Sequence, residues 1–394
     1  IDGYIIPKND EFFGEYIPEF NNRLKFISDF TGSYGFALIL KNKNYLFVDG
    51  RYTLQANKQS GEFFQIKTFP NEYPREILKN KNFKIGFDPK LFTKKTLNFF
   101  FGKTNCKYIA LEKNLIDEIW IRNKSKIQKK FYKLPDVSVG EYYKSKINKV
   151  IKILKKKAAD MQFITASENN AWLFNIRGND SKYTPIPYCY TLIDKKKNVI
   201  FFCDLKKIPN SFKREFSGTR FIDINLVNNV LSKISKKRFI IDDNSCSVYY
   251  ENIILKNNKI LKYQDPIYSL KAIKTKKEIE NIKKAHIHDG VALTKYLFWI
   301  KNNFLKKKIT EISAEKKLFN FRKKNKNFNF LSFPTISGTG PNGAIIHYKA
   351  TKESNRTLKK GDIYLVDSGG QYNYGTTDVT RTISLQNSNK RIKN

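Results

Sequence analysis

The sequence predicts an α/β protein divided into several domains. Three observations carry that expectation. The chain has 394 residues, more than one ordinary domain of roughly 100–200 residues holds. Its hydrophobic fraction of 40%, with 32 Phe and 22 Tyr, suffices for sizeable cores and excludes wholesale disorder. Short apolar runs of strand type alternate with helical patterns, interrupted by one charged, proline-containing stretch.

In the first third, GFALIL and YLFVDG read as strands joined by KNKN, and GRYTLQANKQ as a helix start. FFQIKTF and FKIGFD follow as further strands, with helical patterns such as NLIDEIWI between them. The stretch KSKIQKKFYKLPDVSVGE has the charge and proline of a linker and sets a boundary near Leu134. The second unit opens on the basic helix EYYKSKINKVIKILKKKAAD, whose Ile147, Val150, Ile151 and Leu154 fall at helical spacing. MQFITA, WLFNIRG, YCYTLID, NVIFFCD, RFIDI and RFIID then read as strands. This succession repeats the rhythm of the first unit, so a structural duplication is expected although the residues themselves do not repeat.

A third unit begins after YQDPIYSLKAIK, where Thr275 and Glu278 form a capping box. The helix it starts is expected to bury Ile279, Ile282, Leu293, Tyr296, Leu297 and Ile300. His286 and His288 lie two residues apart in it and so point to different faces. They are not the i, i+4 pair of a helical zinc site and read as surface or packing residues. The expected division is 1–134, 135–268 and 269–394.

The chain carries 74 Lys and Arg against 36 Asp and Glu, a net charge of +38. Such a balance raises the question of phosphate binding. The lysines are nevertheless spread along the chain, as in KNKNY, KKKNV, KNNKI and RKKNKNF, among Asn, Ile, Phe and Tyr. That is compositional bias on solvated surfaces, and no specific nucleic-acid partner is expected. No apolar run approaches the roughly 18–20 residues that span a bilayer, so no membrane partner is expected either. The start, IDGYIIPKNDEFF, lacks a signal pattern. Cys106, Cys189, Cys203 and Cys246 are scattered, as expected of reduced thiols packed as small hydrophobes in the cytoplasm.

Two segments carry chemistry. ISGTGPNGAIIHY contains a literal G-x-G-x-x-G at Gly338, Gly340 and Gly343. With Pro341 in the loop and a strand-like AIIHY after it, the segment reads as a glycine turn, not a dinucleotide site. It would present His347 at the far end of that strand. From Gly361 to Asn389 there is no lysine, one arginine (Arg381) and three aspartates. IYLVD reads as a strand ending in Asp367, SGGQYNYG as a glycine bend, and TTDVTRTI as a second strand containing Asp378. If the strands are neighbours and both side chains share a face, the carboxylates converge. They must then share a proton or hold a cation. Hard carboxylate oxygens suit Mn²⁺, Mg²⁺ or Zn²⁺, and two such ions form a hydrolytic clamp. The competing reading has Asp367 starting a turn and Asp378 solvated on its strand.

At these blocks the sequence resembles aminopeptidase P, the Xaa-Pro aminopeptidases of the pita-bread metallopeptidase superfamily. PTISGTGPNGAIIHY and YLVDSGGQYNYGTTDVTRT look like that family's first two catalytic blocks. DGYIIPKNDEFFGEYIPEF, DGRYTLQA, NLIDEIW, ASENNAWLFNIRGND and EIENIKKAHIHDGVAL look like its long, three-domain form. The resemblance implies two creatinase-N-like α/β domains followed by the first part of a pita-bread catalytic domain. It implies removal of an N-terminal residue that precedes proline, by a dinuclear centre that activates a bridging water. The metal would be most often manganese, with zinc or cobalt as alternatives. Asp367 matches the first aspartate ligand and Asp378 the aspartate that bridges both ions. His347 matches the catalytic histidine that contacts substrate, and Arg51 an arginine that reaches substrate from the N-terminal domain. A structural ion pair is the alternative for Arg51. A homodimer is implied for the full-length protein.

The family's remaining ligands, a histidine and two glutamates, and a further catalytic histidine follow the second block. This sequence ends at Asn394 without them. The expectation is therefore a piece of a longer product, inactive alone. The alternatives are a non-catalytic binding protein of the same fold and a prolidase-like dipeptidase. A single N-terminal domain in prolidase argues against the latter, and creatinase lacks the two aspartates.

Overall fold

The computed structural model describes residues 1–122, 129–135 and 138–386. Of the predicted linker, 124–128 and 136–137 lie outside the described residues. Contacts divide the chain into two units, Ile1–Lys133 with Glu141–Ile273, and Leu134–Gly140 with Lys274–Asn394.

In the first unit the strands β1 (Gly3–Pro7), β2 (Phe36–Leu40), β3 (Asn44–Asp49), β4 (Gln65–Phe69), β5 (Lys84–Phe87) and β6 (Lys107–Ala110) form a sheet ordered β4-β3-β2-β1-β5-β6. They read as near-continuous apolar runs because both faces are covered. Ile5, Leu38 and Phe47 pack on one side, and Tyr4, Ile6, Ala37 and Leu46 on the other. Further along are β7 (Tyr132–Lys133), β8 (Met161–Ile164), β9 (Ile176–Arg177), β10 (Cys189–Asp194), β11 (Val199–Cys203), β12 (Thr219–Asp223), β13 (Arg238–Ile241) and β14 (Lys259–Lys262). β7 and β9 pair with each other, and the rest form a sheet ordered β12-β11-β10-β8-β13-β14.

With the strands of each sheet numbered in chain order, both orders are 4-3-2-1-5-6. Strand directions also correspond. In each sheet the first three strands are antiparallel in turn, and the third-fourth, first-fifth and fifth-sixth pairs are parallel. The expected duplication is thus present as topology. The predicted helix forms over Tyr143–Lys156 and buries Ile147, Val150, Ile151 and Leu154. One element differs. WLFNIRG is strand only at Ile176–Arg177 (β9), because Trp172 to Phe174 complete the helix Ser167–Phe174, and Asn175 ends it in the left-handed conformation at φ 55°. Asn170 anchors that helix by donating to the carbonyls of Ile164, Ala166 and Cys189, a tertiary contact that overrides local strand preference. Cys189, Cys203 and Cys246 are buried free thiols, and Cys106 is half-buried and free.

Among the described residues the second unit holds two α-helices, Lys276–Asn303 and Glu311–Lys323. The predicted box caps the first: Thr275 Oγ1 accepts from Glu278 N at 3.2 Å, and Glu278 Oε2 accepts from Thr275 N at 2.7 Å. Leu293, Tyr296 and Ile300 are buried as expected, whereas Ile279 is 43% exposed. Ile279 lies in the first turn, and the buried positions begin further along, at Asn281, with Ala285 the first apolar one. The strands are β15 (Phe328–Leu331), β16 (Ile336–Thr339), β17 (Ile363–Ser368), β18 (Gly370–Tyr372), β19 (Gly375–Thr376) and β20 (Val379–Ser384). They make two sheets, β16-β17-β20 and β15-β18-β19. Tyr296, Ile300 and Leu318 of the helices pack on Tyr364 and Val366 of β17.

Candidate metal centre

Strand pairing places the two carboxylates. β17 and β20 are antiparallel, with Asp367 opposite Thr380 and Ser368 opposite Val379. Side chains alternate along a strand, so Tyr364, Val366 and Ser368 face the helix-packed core while Leu365 and Asp367 face away from it. Thr380 shares the face of Asp367, and Asp378 precedes Thr380 by two residues. It therefore takes the diagonal position, roughly 7–8 Å away in an ideal ladder. Asp378 stands just before β20 and not within it as expected, since pairing ends at Val379. Arg381 pairs with Val366 and so leaves β20 on the opposite face.

Asp367 Oδ1 is buried and has no hydrogen-bond partner among the described residues. The Asp378 carboxyl titrates above its ordinary range because of partial desolvation and, second, the charge of Asp367. A buried acceptor without a donor, near a second carboxylate whose pKa its charge helps to raise, is an arrangement that a divalent cation relieves. The donor set fits a hard cation. Among the described residues no group of three or more His, Cys, Asp or Glu side chains is placed to hold one.

The connection between the aspartates is not the free bend expected from SGGQYNYG. Gly370–Tyr372 and Gly375–Thr376 form a hairpin that adds to β15, leaving Asn373 and Tyr374 as the turn. Tertiary packing imposes this. A Cβ on Gly369 would meet Thr377 O at 1.9 Å, and one on Gly370 the Phe328 ring at 2.9 Å. At the tip, Tyr374 hydrogen-bonds His288 Nδ1, while the other helical histidine, His286, bonds the Ile282 carbonyl through its ring at 2.9 Å. His286 is a surface residue and His288 a packing one, on different faces as expected.

His347 is not at the end of a strand. Gly340–Ala344 forms a 3-10 turn, and His347 sits exposed in the following turn with φ 56°. The cause is Glu311, which is fully buried. It accepts from Thr339 N at 2.8 Å, Tyr348 Oη at 2.8 Å, Arg356 N at 3.0 Å, and Asn342 Nδ2 at 3.1 Å on each carboxylate oxygen. These bonds curl the chain around the carboxylate and prevent AIIHY from extending. Arg51 lies in the first unit. Its Nη2 pairs with Asp49 Oδ2 at 2.6 Å and its guanidinium lies 5.2 Å from the Tyr52 ring centroid.

Sequence reasoning missed Glu311 and the buried pair of Asp289 and Arg322. One signal was available: Asp289 interrupts the stripe Ala285, Ala292, Leu293, Tyr296 at a buried helical position.

Comparison with known proteins follows the same order along the chain. Residues 1–115 and 122–278 match family models of the creatinase/prolidase N-terminal domain, and 280–394 that of metallopeptidase family M24. The chain is 35% identical over 412 residues to a probable Xaa-Pro aminopeptidase P of Paracoccidioides lutzii, covering 97% of this chain and 66% of that protein. It is 33% identical over 402 residues to the Xaa-Pro aminopeptidase ApepP of Drosophila melanogaster, covering 97% and 65%. The structure of an X-prolyl aminopeptidase from Caenorhabditis elegans, described as a cytosolic enzyme with a di-nuclear active site, superposes with a TM-score of 0.93. Identity there is 26%, over 99% of this chain and 67% of that one. The chain thus spans 66% and 65% of the two curated relatives. Its fold is mixed α/β, with creatinase-type N-terminal domains and an M24 domain of pita-bread type. Among the described residues, no helix is long and apolar enough to cross a membrane.

Proposed function

The chain belongs to the Xaa-Pro aminopeptidase P family, and on that premise we propose that its gene product hydrolyses the bond between an N-terminal residue and a following proline. The observation that carries this reading is the buried, partnerless Asp367 Oδ1 on the same strand face as Asp378.

In this reading Asp367 and Asp378 hold two divalent cations, Mn²⁺ first, with Zn²⁺ and Co²⁺ as alternatives. Held there, such ions would supply Lewis-acid polarisation of the scissile carbonyl and activation of a bridging water. The chain's own residues do the rest. Both carboxylates bind the cations in their ionised form, so protons compete with the metal at Asp378, whose carboxyl is raised, and the segment itself brings no lysine ammonium to compete. His347, on its exposed turn, contacts the substrate, and Arg51 reaches the peptide from the first domain. Among the described residues two carboxylates come together without a third ligand, so this chain alone is expected to give no turnover. We assign the domains as 1–134, 135–268 and 269–394, the substrates as peptides with proline second, the compartment as cytoplasm, and the full-length state as a homodimer.

The test is the complete gene product with added Mn²⁺ and an Xaa-Pro-Yaa tripeptide. Release of the first residue supports the proposal. A preparation that binds Mn²⁺ but leaves the tripeptide intact moves the assignment to a non-catalytic protein of this fold.

A further inference from the structure

We propose that the buried Asp289–Arg322 pair, acting through Ser368 and Tyr372, is the positioning device that holds Asp367 and Asp378 at the separation their cations require. The inference rests on the reading of those aspartates as ligands.

Both partners of the pair are fully buried. Arg322 Nε donates to Asp289 Oδ1 at 2.7 Å and Nη2 to Asp289 Oδ2 at 2.9 Å, a two-pronged fork with a fixed plane. Removing both charges from water is costly, and well-packed apolar residues of similar volume generally hold a fold together at least as well. Stability alone therefore does not account for the pair. What it adds is direction, because each partner carries a further bond to the segment joining the two aspartates.

Arg322 Nη2 also donates to Ser368 Oγ at 3.0 Å. Ser368 follows Asp367, and alternation sends their side chains to opposite faces, so fixing Ser368 against the core aims Asp367 away from it. Asp289 Oδ1 accepts from Tyr372 Oη at 2.8 Å, which pins β18, the first strand of the connecting hairpin. The hairpin returns the constraint to the other ligand. Gly370 N donates to Thr377 Oγ1 at 3.0 Å, and Ser332 Oγ donates to Thr377 O at 2.8 Å. Thr377 is the residue before Asp378. Each aspartate thus has its chain neighbour fixed, and both restraints run back to one buried ion pair.

Tyr372→Phe in the complete gene product removes one hydroxyl and leaves the ring contact with Phe328 in place. In the metal-free protein, amide exchange over residues 368–378 is expected to quicken about tenfold, and Mn²⁺ affinity, read by electron paramagnetic resonance of free Mn²⁺, to fall about tenfold. The double variant Asp289→Leu with Arg322→Met, made together with Ser368→Ala and Tyr372→Phe so that neither hydroxyl is stranded, is expected to keep the thermal midpoint while losing Mn²⁺ affinity to the same degree, which a merely structural pair would not do. Parent-like Mn²⁺ affinity in both Tyr372→Phe and the double variant overturns the proposal. Asp378→Ala separates the two failures. Loss of Mn²⁺ binding there, with parent-like binding in both Tyr372→Phe and the double variant, rejects the positioning device alone. Unchanged binding in Asp378→Ala rejects the ligand assignment and the device with it.

Discussion

Asp367 and Thr380 face each other across the β17–β20 ladder, and that register decides where the second carboxylate stands. A slip of one residue would send every β20 side chain to the other face and take Asp378 away from Asp367. The chemistry of the segment therefore depends on strand pairing as much as on the aspartates themselves.

Asp378→Ala is expected to abolish Xaa-Pro cleavage by the complete gene product while leaving the fold intact. The side chain is exposed and outside the core, so the thermal midpoint of the metal-free protein should move by no more than about 2 °C. Retained turnover in this variant would contradict the metal role.

Mn²⁺ affinity is expected to decline with falling pH sooner than an ordinary aspartate, of pKa about 3.9, would dictate. Desolvation and the neighbouring Asp367 raise the Asp378 carboxyl, so protons compete with the cation from higher pH downward. In the metal-free protein the sign is opposite. A carboxyl raised on folding contributes stability at acid pH, and the contribution is lost as pH rises through its folded value. Titrating Mn²⁺ at a series of pH values, with thermal melts of the metal-free protein alongside, checks both slopes.

Glu311→Ala should be among the most damaging single changes in the second unit. It strands the amides of Thr339 and Arg356, the Asn342 amide group and the Tyr348 hydroxyl, at a cost of about 3 kcal/mol or more. Denaturant melts read the loss. Accelerated amide exchange at Thr339 and Arg356 localises it to the loop that carries His347.

Gly369→Ala should also fail, for a steric reason. Its Cβ would stand 1.9 Å from Thr377 O and 2.2 Å from Ser332 Oγ, so the hairpin must shift. A destabilisation of about 1–3 kcal/mol is expected, together with weaker Mn²⁺ binding, measured by melting and by metal titration.

Much of the architecture was legible in local sequence. The capping box at Thr275 and the helical stripe of Tyr143–Lys156 formed as read. The strands in GFALIL, YLFVDG, YCYTLID and NVIFFCD did too, because apolar periodicity and capping chemistry act over a few residues. The failures share one cause. WLFNIRG became a helix end, SGGQYNYG a hairpin and AIIHY a turn, each under contacts from residues distant in sequence.

The sequence by itself determined that two aspartates lie eleven positions apart in a lysine-free β segment, and that two similar α/β halves precede them. Long-range packing settled that Asp378, just before β20, lies diagonal to Asp367 of β17, that Glu311 curls the histidine loop, and that a charge pair 33 residues apart in sequence is sealed behind Ser368. The physical reason is range. Backbone propensity and side-chain periodicity are local, whereas strand register and the burial of a charge are settled by which distant partners arrive to satisfy them.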